Sequence, residues 1–123
     1  MGPSVSLEPS SRFQTISGSR DVSRLFREGR FTRTKGLKLG YAENDHGYHR
    51  VAFAPTRGFG RAVDRNRQKR ISREAYRQLQ GEIVGAYDLV FVIYSDATNT
   101  TSERHNDMVR TLGAARLLKR TKR

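Results

Sequence analysis

Apolar residues recur at helical spacing in three stretches of the chain. Near the N-terminus, Val22, Leu25 and Phe26 follow the i, i+3, i+4 repeat of an amphipathic helix. The segment 61–79 and a segment close to the C-terminus show the same period. The pattern therefore predicts three helices, and the last one carries Met108, Val109, Leu112 and Ala115 on its apolar face.

Strands are predicted by alternating and by continuous apolar runs. Apolar and polar residues alternate in 31–41 and again in 50–54, and the turn-forming residues of 42–48 lie between them. We therefore expect these two strands to form a hairpin. The run 87–94 is almost wholly apolar and rich in β-branched and aromatic residues, which is typical of a central strand buried on both faces.

The elements follow one another in the order α-β-β-β-α-β-α, which predicts a single small domain of the α+β class with helices packed on one sheet. Residues 1–11 are rich in Ser and Pro and have no periodicity, so we expect a flexible N-terminal arm. Residues 119–123 form a basic tail. The domain itself is predicted to span 12–118.

The charge of the chain points to a polyanionic partner. Its 24 Lys and Arg residues outnumber 12 Asp and Glu residues, giving a formal net charge of +12 and a pI of about 11.0. Such a charge repels itself unless an anion neutralises it. Cysteine is absent and the longest apolar run is too short to span a membrane, so we expect a cytoplasmic protein with no membrane partner.

The positive charge is concentrated in one predicted helix. Eight Arg and Lys residues lie between Arg57 and Arg77, with only Asp64 and Glu74 among them. At 100° per residue, one side of this helix is a packing face and the other is a row of cations. Arginine forks match phosphate oxygens in pairs, so nucleic-acid binding is favoured over a merely solvated face. The packing side holds Gln68, Ile71, Ala75 and Leu79.

The sequence predicts no catalytic site and no metal site in the protein itself. His46, His49 and His105 are scattered over turn and loop positions, and Ser72 has no histidine within helical reach. The glycines of T-R-G-F-G lack the remainder of a phosphate-cradling motif. Binding rather than bond cleavage is therefore the expected contribution of this chain.

The basic helix carries a recognisable motif. The segment R-A-V-D-R-N-R-Q-K-R-I-S-R-E-A-Y-R resembles the signature of the bacterial ribonuclease P protein subunit, in which R-N-R, K-R and R-E follow a small residue. The preceding R-V-A-F-A-P-T-R-G-F-G, the first helix and the Y-D-L-V segment extend the resemblance over roughly 12–118. The chain departs from the family pattern at Val22, Pro55, Gly58 and Gln68, and the last of these replaces a common aliphatic residue.

The resemblance implies both a fold and a function. The fold is a ribosomal protein S5 domain 2-like sandwich with a left-handed βαβ crossover around the basic helix. The function is that of the protein subunit of ribonuclease P, which binds the catalytic RNA and the 5′ leader of precursor tRNA. Mg²⁺ is held mainly by the RNA, which carries the active site, and no obligate protein partner is implied.

The resemblance also implies two sets of binding residues. The R-N-R helix is expected to lie on the catalytic RNA, and a cleft between this helix and the sheet is expected to receive the single-stranded leader, whose bases stack on aromatic rings. For Phe26 and Phe53 a role in the core is the favoured alternative. The expected RNA contacts are Arg65, Asn66, Arg67, Lys69, Arg70 and Arg73, and the expected cleft residues are Arg57, Arg61, Tyr41, Phe26 and Phe53.

Other functions remain open at this stage. A stand-alone basic RNA-binding protein, or a ribosomal protein of similar fold, would carry the same kind of helix. A basic zipper that binds DNA is excluded because no leucine heptad follows Leu79.

Overall fold

A computed structural model describes residues 14–16 and 18–119 of the chain. Within these residues three helices pack on one five-stranded sheet, whose strand order is β1-β4-β5-β3-β2. The strands are β1 (Gln14–Thr15), β2 (Arg30–Thr34), β3 (Leu37–Glu43), β4 (Arg50–Pro55) and β5 (Tyr87–Ile93). The helices are α1 (Ser19–Glu28), α2 (Ala62–Leu79) and α3 (Thr101–Ala114), with short 3-10 turns at Arg57–Phe59 and Gln80–Glu82.

The α+β class and the predicted order of elements are confirmed, with the short strand β1 added before α1. β4, α2 and β5 form the parallel crossover unit, and β5 lies in the middle of the sheet as expected. The left hand of that crossover stays a prediction. The predicted arm at 1–11 lies outside the described residues, as does the predicted tail at 119–123 except for Lys119.

The predicted hairpin between 31–41 and 50–54 is wrong. The first of these segments is itself a hairpin of β2 and β3, while β5 inserts between β3 and β4. The chain reverses at Gly36, whose φ of +76° suits glycine, and a Cβ there would lie 2.5 Å from the Cα of Ala97. Because β5 is the most apolar strand, the central position removes most apolar surface from water.

The larger core fills one face of the sheet, beneath α2 and α3. Residues paired across strands share a face, so Leu39, Phe91 and Phe53 form one row of this core. Tyr76 of α2 packs on Phe91 with ring centroids 6.1 Å apart. Val109, predicted on the apolar face of α3, is instead exposed, because the buried stripe of that helix runs through Arg104, Met108, Thr111 and Leu112.

A smaller core fills the opposite face, beneath α1. Leu25 is buried there with Val90 and Val92 of β5. Gly40 lies below α1, where a Cβ would come within 2.9 Å of the Leu25 side chain, so the helix sits directly on the β3 backbone. The two cores place α1 on one side of the sheet and the basic helix α2 on the other.

A buried ion pair joins the sheet to α1. Arg50 donates to both carboxylate oxygens of Asp88 at 2.9 and 2.8 Å, and it also reaches Asp21 of α1 at 3.5 Å. Burial by itself would raise the pKa of Asp88, but hydrogen bonds from Arg50 and Asn44 outweigh it and hold that pKa below its usual value. The hydrogen bond to Asp88 in turn raises the pKa of Arg50. The pair therefore stays charged and fixes the N-terminal end of β5.

Candidate nucleic-acid interface

The basic helix α2 divides into a buried side and a cationic side. The predicted packing positions Gln68, Ile71, Ala75 and Leu79 are all buried, which confirms the helical reading. Arg67, Arg70 and Arg73 are exposed, as is Asn66. Arg65 and Lys69 lie half-buried at the boundary of the two sides. Five of the six predicted RNA contacts are thus cations presented along one helix, and the sixth is the exposed amide between two of them.

The cations of this region differ in their local partners. Arg61 pairs with Asp64 at 3.3 Å, and Arg77 pairs with Glu74 at 2.7 Å. Arg65 donates to the carbonyl of Gly60 at 3.1 Å, which holds its side chain toward the start of the helix. Four cations of α2 have neither a carboxylate partner nor a side-chain hydrogen bond among the described residues and are free to bind an external anion; they are Arg67, Lys69, Arg70 and Arg73.

A buried arginine supports α2 from behind. Arg104 of α3 is fully buried and donates to Ser72 Oγ at 2.7 Å, to Gln68 Oε1 at 2.6 Å and to the carbonyl of Thr98. Burial lowers the pKa of this guanidinium and nearby Asp107 opposes the shift, yet an arginine keeps its charge in a protein. Sequence reasoning missed Arg104, although it is four residues before the buried Met108 and so lies on the same helical stripe.

The α1 side of the sheet carries a second surface, which we call the aromatic surface: Phe26, Phe31, Arg33, Lys38 and Tyr94. Phe26 and Phe31 stack with ring centroids 6.1 Å apart. The Lys38 ammonium lies 4.7 Å from the Phe31 centroid, and the Arg33 guanidinium lies 4.6 Å from that of Tyr94. Exposed rings with cations beside them are suited to stack bases and neutralise phosphates.

The floor of this surface is made of small side chains. Cross-strand pairing places Gly40 and Ala52 opposite Val90, and Ala54 opposite Val92. Both alanines are only partly buried. The sheet beside α1 therefore carries only small side chains at these two positions of β4.

The predicted position of the cleft, between α2 and the sheet, is wrong, because the larger core fills that space. The structure also does not bring the five predicted cleft residues together. Phe26 lies on the aromatic surface and is 44% exposed. Phe53 stacks on Phe91 and Tyr41 contacts Tyr87, which places both on the opposite face with the larger core. Placing Phe53 and Tyr41 in one cleft with Phe26 is therefore wrong, because strand register turns them away from α1. Phe53 packs against the larger core, as the alternative interpretation of this residue predicts.

The remaining predicted cleft residues lie at the turn before α2. Arg57 and Arg61 are both exposed there. The turn sits next to the end of β5, since a Cβ on Gly58 would lie 3.2 Å from Ser95 Oγ. Tyr94 of the aromatic surface directly precedes Ser95 in the chain. These two arginines are thus near the edge of the sheet at which the aromatic surface ends, and their role in leader binding stays a prediction.

Tyr41 lines a different feature, an open pocket of about 320 Å³. Its other lining residues include Arg30 and two carboxylates, and Tyr41 and Tyr87 have ring centroids 6.2 Å apart. The mixed charges do not single out one ligand class. The full lining is Glu28, Arg30, Tyr41, Ala42, Glu43 and Tyr87.

The histidines take no part in either surface. His49 has its two ring nitrogens 3.3 and 3.2 Å from the carbonyls of Gly85 and Gln80. In the part of the chain that the structure describes, no three His, Asp or Glu side chains gather in a way that would hold a metal ion. None of the helices described is long and apolar enough to cross a membrane.

Known proteins resemble this chain in sequence and in fold. The family model described as Ribonuclease P matches residues 11–117. The ribonuclease P protein component of Syntrophus aciditrophicus is 30% identical over 100 residues, covering 81% of this chain and 82% of that protein. That of Thermoanaerobacter sp. strain X514 is 30% identical over 77 residues, covering 63% of this chain, and the match spans 66% of that protein's length.

A solved structure shows the same fold. The RNase P protein of Staphylococcus aureus superimposes with a TM-score of 0.77 at 22% identity, covering 88% of this chain and 100% of that one. An identity this low supports the fold alone. The family match, however, extends over nearly the whole described domain and includes the basic helix, the strands and α3. The chain therefore belongs to the ribonuclease P protein component family, a family of endoribonuclease subunits.

Proposed function

We propose that this chain is the protein subunit of ribonuclease P and that α2 binds the catalytic RNA. The observation that carries this proposal is the set of four α2 cations with neither a carboxylate partner nor a side-chain hydrogen bond among the described residues. A phosphate that meets them displaces counterions and does not have to compete with an existing ion pair. Arg67, Arg70 and Arg73 are arginines whose planar forks can bind two phosphate oxygens each.

The aromatic surface is proposed to bind the single-stranded 5′ leader of precursor tRNA. Its stacked phenylalanines offer π faces to any base, and its cations follow the backbone. No described side chain there forms the bidentate amide or carboxylate pattern that would read one base. Binding with little sequence preference suits leaders, which differ from one precursor to the next.

The chemistry of cleavage is assigned to the RNA with its Mg²⁺, and the protein contributes binding. Precursor tRNA and catalytic RNA are both polyanions, so they repel each other on approach. A subunit that presents cations to each of them lowers this repulsion and raises the affinity of the RNA for its substrate. We place this reaction in the cytoplasm.

Reconstitution tests the proposal. The purified chain is combined with a bacterial ribonuclease P RNA, Mg²⁺ and precursor tRNA near physiological salt, and 5′ maturation is followed on gels. We expect no cleavage by the protein alone and a clear gain in the rate at low substrate when protein is added to the RNA. Cleavage without RNA would contradict the proposal. Binding to the RNA without any gain would favour a stand-alone RNA-binding protein of the same fold.

A further inference from the structure

The loop between β5 and α3 lies against the buried side of α2. Gln68 Nε2 donates to Asn99 Oδ1 at 3.0 Å, and Arg104 holds the neighbouring carbonyl of Thr98. Thr98 Oγ1 in turn donates to Asp107 at 3.1 Å. An exposed residue, Asn99, is thereby fixed beside a helix whose other side is cationic.

The orientation of these amides follows from the buried arginine. A guanidinium can only donate hydrogen bonds, so Gln68 must present its oxygen to Arg104. The Gln68 NH₂ group then points to the loop, and Asn99 must present its own oxygen to accept that bond. The Asn99 NH₂ group is left over, with no partner among the described residues, and it lies on an exposed side chain.

Asn99 contacts α2 through Gln68, in the second turn of the helix. Arg65 is three residues before Gln68, so it lies on the same side of the helix as the residue that Asn99 contacts. Arg65 has no carboxylate partner among the described residues, whereas Arg61 is already paired with Asp64. A phosphate held by Arg65 would therefore have a further donor, from the loop, on the same side of α2.

We propose that Asn99 is an additional contact to the catalytic RNA, donating its amide to a phosphate at the N-terminal end of α2, and that Gln68 and Arg104 are the positioning residues that turn this donor outward. The inference rests on the proposed function of α2. It also explains a departure from the family pattern, because Gln68 replaces an apolar residue at a buried position and gains two polar partners there.

The test compares two substitutions of Asn99 with a control substitution that changes the charge of the protein equally at another site. Asn99→Ala removes the donor, while Asn99→Asp keeps an acceptor for Gln68 and adds a negative charge. Asn106→Asp is the matched control, since it makes the same substitution on an exposed residue of α3 about 200° around the helix from Arg104. Affinity for a bacterial ribonuclease P RNA is measured by filter binding as a function of salt concentration, with thermal unfolding as the check on folding.

We expect Asn99→Ala to weaken binding about three- to tenfold, as for the loss of an ordinary hydrogen bond, and Asn99→Asp more than about tenfold, because it also adds a negative charge. Asn106→Asp should change affinity less than about twofold. The salt slope should stay at its wild-type value for Asn99→Ala, because a neutral donor releases no counterion. A flattened slope would mean that Asn99 acts by displacing the α2 cations, and equal effects of the two Asp substitutions would mean diffuse repulsion. Either result overturns the inference.

A second variant tests the positioning role. Gln68→Leu combined with Arg104→Met replaces the polar group by apolar side chains of similar size, an exchange that buried charges often tolerate. In this background Asn99→Ala should no longer weaken binding, and a full additional loss would overturn the role of Gln68 and Arg104. If the wild-type protein does not bind the RNA at all, the proposed function is wrong. That result differs from a failure of the Asn99 inference alone, in which the wild-type protein still binds the RNA.

Discussion

Removing the three unpaired arginines of α2 should weaken assembly with the catalytic RNA more than any equal loss of charge elsewhere on the helix. The perturbation is the triple substitution Arg67→Ala, Arg70→Ala and Arg73→Ala. All three side chains are exposed and have no carboxylate partner among the described residues, so each can neutralise one phosphate. Helix propensity does not fall, because alanine is the best helix former.

The expected size follows from counterion release. Each phosphate contact contributes about 0.7 to 0.9 to the slope of log affinity against log salt, so the triple variant should lose about 2 to 3 units of slope. The same relation implies a loss of roughly 100- to 500-fold in affinity at about 0.1 M salt. Filter binding to a bacterial ribonuclease P RNA over a series of salt concentrations measures both quantities.

Arg77→Ala is the matched control for this prediction. Its guanidinium lies on the same helix but is paired with Glu74 at 2.7 Å, so binding a phosphate would first require that pair to break. We expect a slope change well below that of any single unpaired arginine. The reasoning is refuted if Arg77→Ala flattens the slope as much as Arg70→Ala does, because net charge alone would then explain the affinity.

The remaining predictions concern the leader surface and the buried ion pair. Phe26→Ala with Phe31→Ala should cost about 1 to 3 kcal/mol per stacked base for a precursor with a leader of several nucleotides, and a one-nucleotide leader, which cannot reach the surface, should bind unchanged. Arg57→Ala with Arg61→Ala should also weaken only the long-leader complex, and equal losses on both substrates would indicate diffuse electrostatics. Asp88→Asn should lower the free energy of unfolding by about 2 to 4 kcal/mol, because it leaves a mostly buried arginine without its main partner. Since the folded-state pKa of Asp88 is depressed, the stabilisation it provides is present above its unfolded pKa of about 4 and is lost as pH falls through the folded pKa. Urea unfolding of the Asn variant should therefore show a weaker loss of stability in acid than the wild type, and an unchanged acid limb would assign that loss to other carboxylates.

The sequence predicts which segments form helices and strands better than it predicts which strands pair with each other. Helical period located α2 and its buried side, and the apolar run of 87–94 identified the central strand. The partner strands of β5 were not predictable, because strand order depends on contacts between distant segments. Proximity in sequence and a turn at 42–48 favoured a hairpin that the burial of β5 overrides.

The predicted leader-binding residues show a second limit of prediction from sequence. Tyr41 continues the alternation of Leu37 and Leu39, and that spacing alone places it on their face of the sheet. The choice of Tyr41 and Phe53 followed residue type and ignored this parity. Phe31 and Lys38, which do lie on the α1 side, could have been found from the same alternation once the position of α1 was known.

The two proposed binding surfaces lie on opposite sides of one sheet, and this arrangement suits a protein that must hold two polyanions together. α2 covers the face that contains Leu39 and Phe91, whereas the aromatic surface shares the other face with Val90. Catalytic RNA and leader would therefore not compete for the same cations, and the sheet would keep their phosphates apart. The turn with Arg57 joins the end of β4 to α2, and its Gly58 lies next to Ser95, the residue that follows Tyr94 of the aromatic surface. Charge at that turn can act on both ligands, which is why its substitution needs substrates of two leader lengths to be interpreted.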